Sequence, residues 1–167
     1  MRTYIGIDPG AIGAIGWIGE DHTANVVQMP ALEDKVDYYT LKQIIRPEPD
    51  PDGDDLRVAV EAAWLNPKLF RASACCLEAS ATIYGICLGM GVSVQVVRPQ
   101  DWKAAVLRGR DWKKRKAASL EYAREKYPLL NWTCKTKIDV ERAIGRADAL
   151  CIAEYAALDA MHERSKV

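Results

Sequence analysis

Short apolar runs closed by glycine, proline or aspartate alternate along this chain with longer stretches of helical period. Residues 4–8, Tyr-Ile-Gly-Ile-Asp, read as a buried strand stopped by the turn pair Pro9-Gly10. Residues 11–18 set Ile12, Ile15 and Trp17 around Gly13 and Gly16 and predict a second strand, hairpinned to the first; 24–29 predict a third. Residues 36–46 carry Tyr39, Leu41, Ile44 and Ile45 at loosely helical spacing. Three prolines and four aspartates then make 47–55 a solvated loop. Strand character returns at 56–62 and again at 92–98. Between them, 67–91 reads as one helix, apolar nearly all round, to be buried by its own sheet or by a second copy of the chain. Helices follow at 112–127 and 147–162. This order predicts an α/β fold, a mixed sheet with helices packed on it. No linker divides the chain, so 1–167 is read as one domain.

Composition narrows the classes. Hydrophobic residues make up 49% of the chain, which excludes a disordered polymer. The 23 basic residues balance the 23 acidic ones, yet they are unevenly spread. From 98 to 146 there are 14 Lys and Arg against 6 acids, a basic half suited to a phosphate backbone beside an acidic remainder. A solvated helix face is the plainer account of such a run. Five cysteines without a C-x-x-C pair, and only two histidines, argue against a zinc site. The first residues lack the apolar core of a signal peptide. Arg71, Glu78 and many small residues interrupt 69–97, the most apolar stretch, so no bilayer span is expected. The expectation is a reduced, cytoplasmic protein.

Three acids occupy unusual places. Asp8 ends one apolar strand, Glu61 ends another, and Asp148 lies in the apolar start of a helix. A lone carboxylate in such surroundings is costly to ionise unless a cation or donor compensates it. Brought together, the three would be hard oxygen ligands for Mg²⁺ or Mn²⁺, and a pair of such ions supports in-line phosphoryl displacement by water. Taken singly, Asp8 is equally a turn former, Glu61 a surface acid at a strand end, and Asp148 a first-turn acid favoured by the helix dipole.

In order along the chain stand Ile5-Gly6-Ile7-Asp8-Pro9-Gly10, Val60-Glu61, Val97-Arg98-Pro99-Gln100-Asp101-Trp102-Lys103, and Gly145-Arg146-Ala147-Asp148-Ala149-Leu150. This series resembles the RuvC-like Holliday-junction resolvases, in particular their phage and prophage branch, over nearly the whole chain. The resemblance implies an RNase H-like fold, a homodimer, and symmetric nicking of branched DNA with two divalent ions. It implies Asp8, Glu61 and Asp148 as ligands, and Lys103 and Lys116 as the basic pair near the scissile phosphate. Members of the family usually carry a fourth acid or a histidine three or four residues before the last aspartate. Here those positions are Gly145 and Ile144. Glu141, two turns before Asp148 on a continuous helix, is one substitute; Asp139 is a looser one, and a plain three-acid site is another reading.

Within the basic half, Trp102-Lys103 and Trp112-Lys113-Lys114-Arg115-Lys116 interleave indoles with cations. Lys103, Lys113, Lys114, Arg115 and Arg146 are candidate phosphate contacts. Trp102 and Trp112 are either core residues or wedges that stack on unpaired bases at a branch point. Ala72, Ala74, Ala79, Ala81 and Gly85 would let helix 67–91 approach a partner helix closely, and a two-fold-symmetric junction needs paired sites. The leading expectation is therefore a Mg²⁺-dependent nuclease for four-way junctions. Its rivals are a junction-binding protein that does not cut and, more remotely, a small relative of the actin and sugar-kinase architecture.

Overall fold

A computed structural model describes residues 2–32, 35–45, 56–113 and 117–164, apart from the side chains of Ala72 and Glu163. The expected loop 47–55 lies outside the described residues, as do Lys114, Arg115 and Lys116. Strands β1 (Thr3–Asp8), β2 (Ala14–Gly19) and β3 (Ala24–Gln28) form an antiparallel meander. Two-residue strands β4 (Ala31–Leu32) and β5 (Lys35–Val36) make a separate hairpin before helix α1 (Tyr38–Ile45). Strand β6 (Leu56–Glu61) joins β1 in parallel, and β7 (Ser93–Val97) joins β6 in parallel. Strand order β3-β2-β1-β6-β7 gives the mixed sheet of an RNase H-like α/β fold.

Alternation along the strands divides the core in two. Ile5, Ile7, Val58 and Val60 face α1 and helix α2 (Phe70–Gly89), where Leu41, Ile45, Ile83 and Cys87 are buried. Tyr4 and Ala59 face helices α3 (Pro99–Val106) and α5 (Lys137–Arg164). Helix α4 (Ala118–Lys126) packs beside α5 through Leu120 and Ala123.

Several elements differ from the sequence reading. The second strand starts at Ala14 rather than 11, because the β1–β2 turn folds back on itself, Gly13 N donating to the Gly10 carbonyl. Helix α3 was not anticipated; Pro99 at its first turn, where a missing N–H is harmless, and Asp101 just after it are start signals. The helix read as 112–127 begins only at Ala118. Most consequentially, α5 begins at Lys137, ten residues earlier than expected. Thr136 caps that start, its Oγ1 accepting from the Asp139 N–H while the Asp139 carboxylate accepts from the Thr136 N–H in return. Asp148 therefore lies within a long helix and not at its first turn, which removes the dipole explanation for an acid there.

The position of α5 is set by absent side chains. A Cβ on Gly6 of β1 would stand 2.1 Å from the Ala149 carbonyl oxygen and 2.2 Å from Ala153 N. One on Gly16 of β2 would stand 2.9 Å from Leu150 N. The helix backbone lies directly on the sheet, with Ala147, Ala149 and Ala153 fully buried beneath it.

Candidate active site

In the β1–β6 ladder Ile7 pairs with Val60. Asp8 and Glu61, one residue further along each strand, thus end side by side at the carboxyl edge of the parallel half of the sheet. Their alternation places them on the same face as Gly6 and Ala59, which is the α5 face. The contact of α5 with Gly6 brings Asp148, the residue before Ala149, to the same edge.

The electrostatics tie the three together. Burial raises the Asp8 carboxyl well above the usual carboxylate range, the charges of Asp148 and then Glu61 raise it further, and Lys103 opposes them. Glu61 is also raised, chiefly by burial, with a hydrogen bond from Trp102 and the charge of Lys103 in opposition. Glu61 is held at two points. Trp102 Nε1 donates to Glu61 Oε2 at 2.7 Å, and Ser80 Oγ of α2 donates to the Glu61 backbone carbonyl at 3.1 Å. The Lys103 ammonium lies 4.9 Å from the centre of the Trp102 ring.

Three hard carboxylates from three distant segments, crowded into mutual repulsion around Asp8, are the donor chemistry of a Mg²⁺ or Mn²⁺ site. As the side chains stand, no three carboxylate, imidazole or thiolate groups among the described residues close into a ligand cage. The acids are neighbours in one field.

A fourth ligand does not come from the positions just before Asp148. A Cβ on Gly145 would meet the Ile12 carbonyl at 2.9 Å, Asp8 Oδ2 at 3.1 Å and Gly13 Cα at 3.3 Å. Glycine is what lets α5 close on the β1–β2 turn here. Ile144 lines a cavity of about 130 Å³ with Lys103, Leu107, Trp112, Ala118, Ser119 and Asp148. Glu141 lies on the same continuous helix as Asp148, but the charges acting on Asp8 are those of Asp148, Glu61 and Lys103. Asp139 is engaged with Thr136, the residue that caps α5.

The basic candidates separate. Lys103 is at the acids. Lys113 is exposed, its ammonium 5.6 Å from the Trp112 ring centre. Arg146 is half-buried and donates to the Asn131 carbonyl at 3.3 Å, anchoring the loop before α5. Trp102, a candidate DNA contact, is 0% exposed within the core that α3, α5 and the sheet share, so it cannot stack on a base. Trp112 is half-buried against the same core.

Other neighbours of the site had not been anticipated. Cys76 on α2 comes so near the Pro9-Gly10 turn that a Cβ on Gly10 would stand 3.3 Å from its sulfur. Burial raises its thiol, as do Asp8, Cys75 and Glu61. Trp64, three residues past Glu61, is exposed, with Leu65, Leu69 and Phe70 following it. An aromatic in a loop directly after a strand-end acid is the signal that could have found Trp64.

No family model matches the chain, and no curated protein matches it. Among solved structures it is similar to RuvC of Thermus thermophilus, at 21% identity and a TM-score of 0.49, over 95% of this chain and 97% of that one. A second similar structure is T. thermophilus RuvC in complex with a Holliday junction substrate, at 20% identity and a TM-score of 0.47, with the same coverage. Among the described residues, no helix is long and apolar enough to cross a membrane.

Proposed function

We propose that residues 1–167 form one nuclease domain, a metal-dependent endonuclease that resolves four-way junctions or other branched DNA by paired nicking. One observation carries this reading: Asp8, with Glu61 beside it on the next strand and Asp148 on α5, sits at the centre of a field of like charges that a divalent cation would relieve. Asp8, Glu61 and Asp148 would hold Mg²⁺, with Mn²⁺ able to substitute. When bound, such an ion supplies Lewis-acid stabilisation of the phosphoryl group and a more acidic water.

The chain's own groups do the rest. Lys103 already opposes the charges of Asp8 and Glu61, and it is placed to neutralise a phosphate oxygen brought against them. Exposed Lys113 and the basic residues Lys114, Arg115 and Lys116 that follow it gather the DNA backbone. Lys116 keeps the role its resemblance implies. Trp64 and Phe70 take over the stacking role that buried Trp102 cannot fill.

Paired nicking needs two sites, and α2 offers the surface. Its inner face buries Ala79, Ile83 and Cys87, while Phe70, Leu77, Tyr84 and Leu88 form an outward stripe, each 36–59% exposed. We read this stripe as the homodimer contact.

The test incubates a synthetic four-way junction with the protein and Mg²⁺ or Mn²⁺. Symmetric nicks that vanish in D8N, while junction binding persists, are expected; loss of binding together with cleavage would overturn the assignment. The open carboxylate arrangement and the closed position at Gly145 favour a second reading, a junction-binding protein without cleavage. Tight junction binding with no nicks in either metal would establish that one instead.

A further inference from the structure

Among the described residues, Trp102 is the one large aromatic side chain of the fully buried core that reaches the acids. A buried indole N–H needs an acceptor, and any backbone carbonyl or hydroxyl would serve. Here the acceptor is the side-chain oxygen of Glu61, an acid that belongs to the site. The same ring meets Lys103: its edge holds the carboxylate at 2.7 Å and its face holds the ammonium, 4.9 Å from the ring centre. Those two side chains both act on Asp8. The ring itself is gripped by the core of α3, α5 and the sheet, with Val97, Val106, Leu107, Cys151, Ile152 and Ala156 in its cluster. Few side chains are so well placed to transmit rigidity from a packed core to two charged groups at its edge.

We propose that Trp102 is the positioning residue of this site, orienting Glu61 toward a divalent cation and setting Lys103 beside it. The proposal rests on the metal-dependent reading above and extends it to the layer behind the ligands. Of the four oxygen lone pairs on the Glu61 carboxylate, the indole occupies one on Oε2, and the others would be the ones to meet an ion. Outer partners of this kind matter because a ligand free to rotate loses orientation each time it binds, and their removal costs 10–100-fold in metal affinity or activity.

W102F keeps an aromatic ring in the core and deletes the donor. Mn²⁺ affinity, measured by calorimetry without DNA, is expected to fall by roughly 10-fold or more, with junction affinity unchanged. In the double variant with E61Q the substitution is expected to add nothing, because both changes act on one contact. A W102F protein that binds Mn²⁺ like the parent, or a loss that is fully additive with E61Q, would overturn the proposal. Should W102F fail to fold, the parent chain carries the test. In a ¹H–¹⁵N spectrum the Trp102 indole N–H signal is expected to move on Mg²⁺ addition, and this response is expected to disappear in E61Q. An indole signal indifferent to both would overturn it. A parent that binds Mn²⁺ through Glu61 yet never cuts a junction leaves Trp102 in its role and rejects only the nuclease reading; a parent that binds no divalent ion rejects both.

Discussion

Helices α5 and α2 cover opposite faces of the same sheet, and they do so in opposite ways. Nothing separates α5 from β1 and β2: Gly6 and Gly16 bring its backbone onto theirs, and Ala147, Ala149, Leu150 and Ala153 are all fully buried. Helix α2 stands off on Ile5, Ile7, Val58 and Val60, buries one side, and leaves Phe70, Leu77, Tyr84 and Leu88 outward. Around Gly85 and Gly89 an added Cβ would meet nothing. Glycine in the sheet under α5 lets the helix backbone rest on the strands, and that position is what delivers Asp148 to Asp8. Glycine on the outer face of α2 leaves room for another surface.

The contrast breaks most violently at Gly6. Gly6→Ala places a methyl 2.1 Å from the Ala149 carbonyl, and neither backbone has anywhere to go. Overpacking of this kind costs about 3 kcal/mol or more, a drop of roughly 6–12 °C in melting temperature for a chain this size. Cleavage is expected to fall with it, because α5 carries Asp148 away. A variant that melts with the parent would mean that the helix is not held by this contact.

Leu77→Glu tests the other helix. Leu77 is exposed in the single chain, so folding stability is expected to change by less than about 0.5 kcal/mol. A charge set into an apolar interface centre costs about 2–3 kcal/mol, raising the dimer dissociation constant roughly 30–150-fold. Sedimentation against concentration reads this directly. A parent chain that sediments as a monomer at micromolar concentration would sink the dimer reading.

Asp8 sharpens the comparison through pH. Its folded-state carboxyl is raised, so the folded chain holds this proton at pH values where the unfolded chain has released it. Stability lost to this group is therefore complete above the raised value and vanishes as pH falls to the unfolded carboxylate range near 4. D8N is expected to melt higher than the parent at pH 8 in EDTA, by roughly 2–4 °C for each kcal/mol relieved. The two curves are expected to converge toward pH 4. Glu61 works in the same direction. A difference that grows on acidification would reverse the assigned sign.

Strands were legible because short apolar runs and their stops at Pro9-Gly10 and Glu61 are local signals, and the order of elements sufficed for the sheet class. The acids were legible as oddities: carboxylates at the ends of apolar runs. What was not legible depended on contact between distant segments. Trp102 reads as core or as wedge until its indole is seen against Glu61, forty-one residues away. The early start of α5 was hidden because its first apolar residues, Ile138 and Val140, are exposed and mark no core-facing stripe, so only the Thr136–Asp139 pair signals it. Gly145 looked like a missing ligand; its neighbours Ile12, Gly13 and Asp8 make it a packing requirement.

The smallest expected effect is also the most discriminating. Gly85 lies in the interior of α2, on the outward side, with open space around it. In a lone chain, Gly85→Ala removes backbone freedom from the unfolded state and collides with nothing, which stabilises a helix by about 0.5–1 kcal/mol, roughly 1–4 °C in melting temperature. In a dimer built on the α2 stripe, the same methyl stands between two helices that glycine had allowed to approach, and association weakens. The two readouts thus move in opposite directions: melting of the Leu77→Glu monomer is expected to rise on adding Gly85→Ala, while association of the otherwise parental chain falls. If both rise, nothing packs against that side of α2, and a second copy must attach elsewhere. Gly6 and Gly85 would then differ only in what they touch within one chain, and paired nicking would need another surface to explain it.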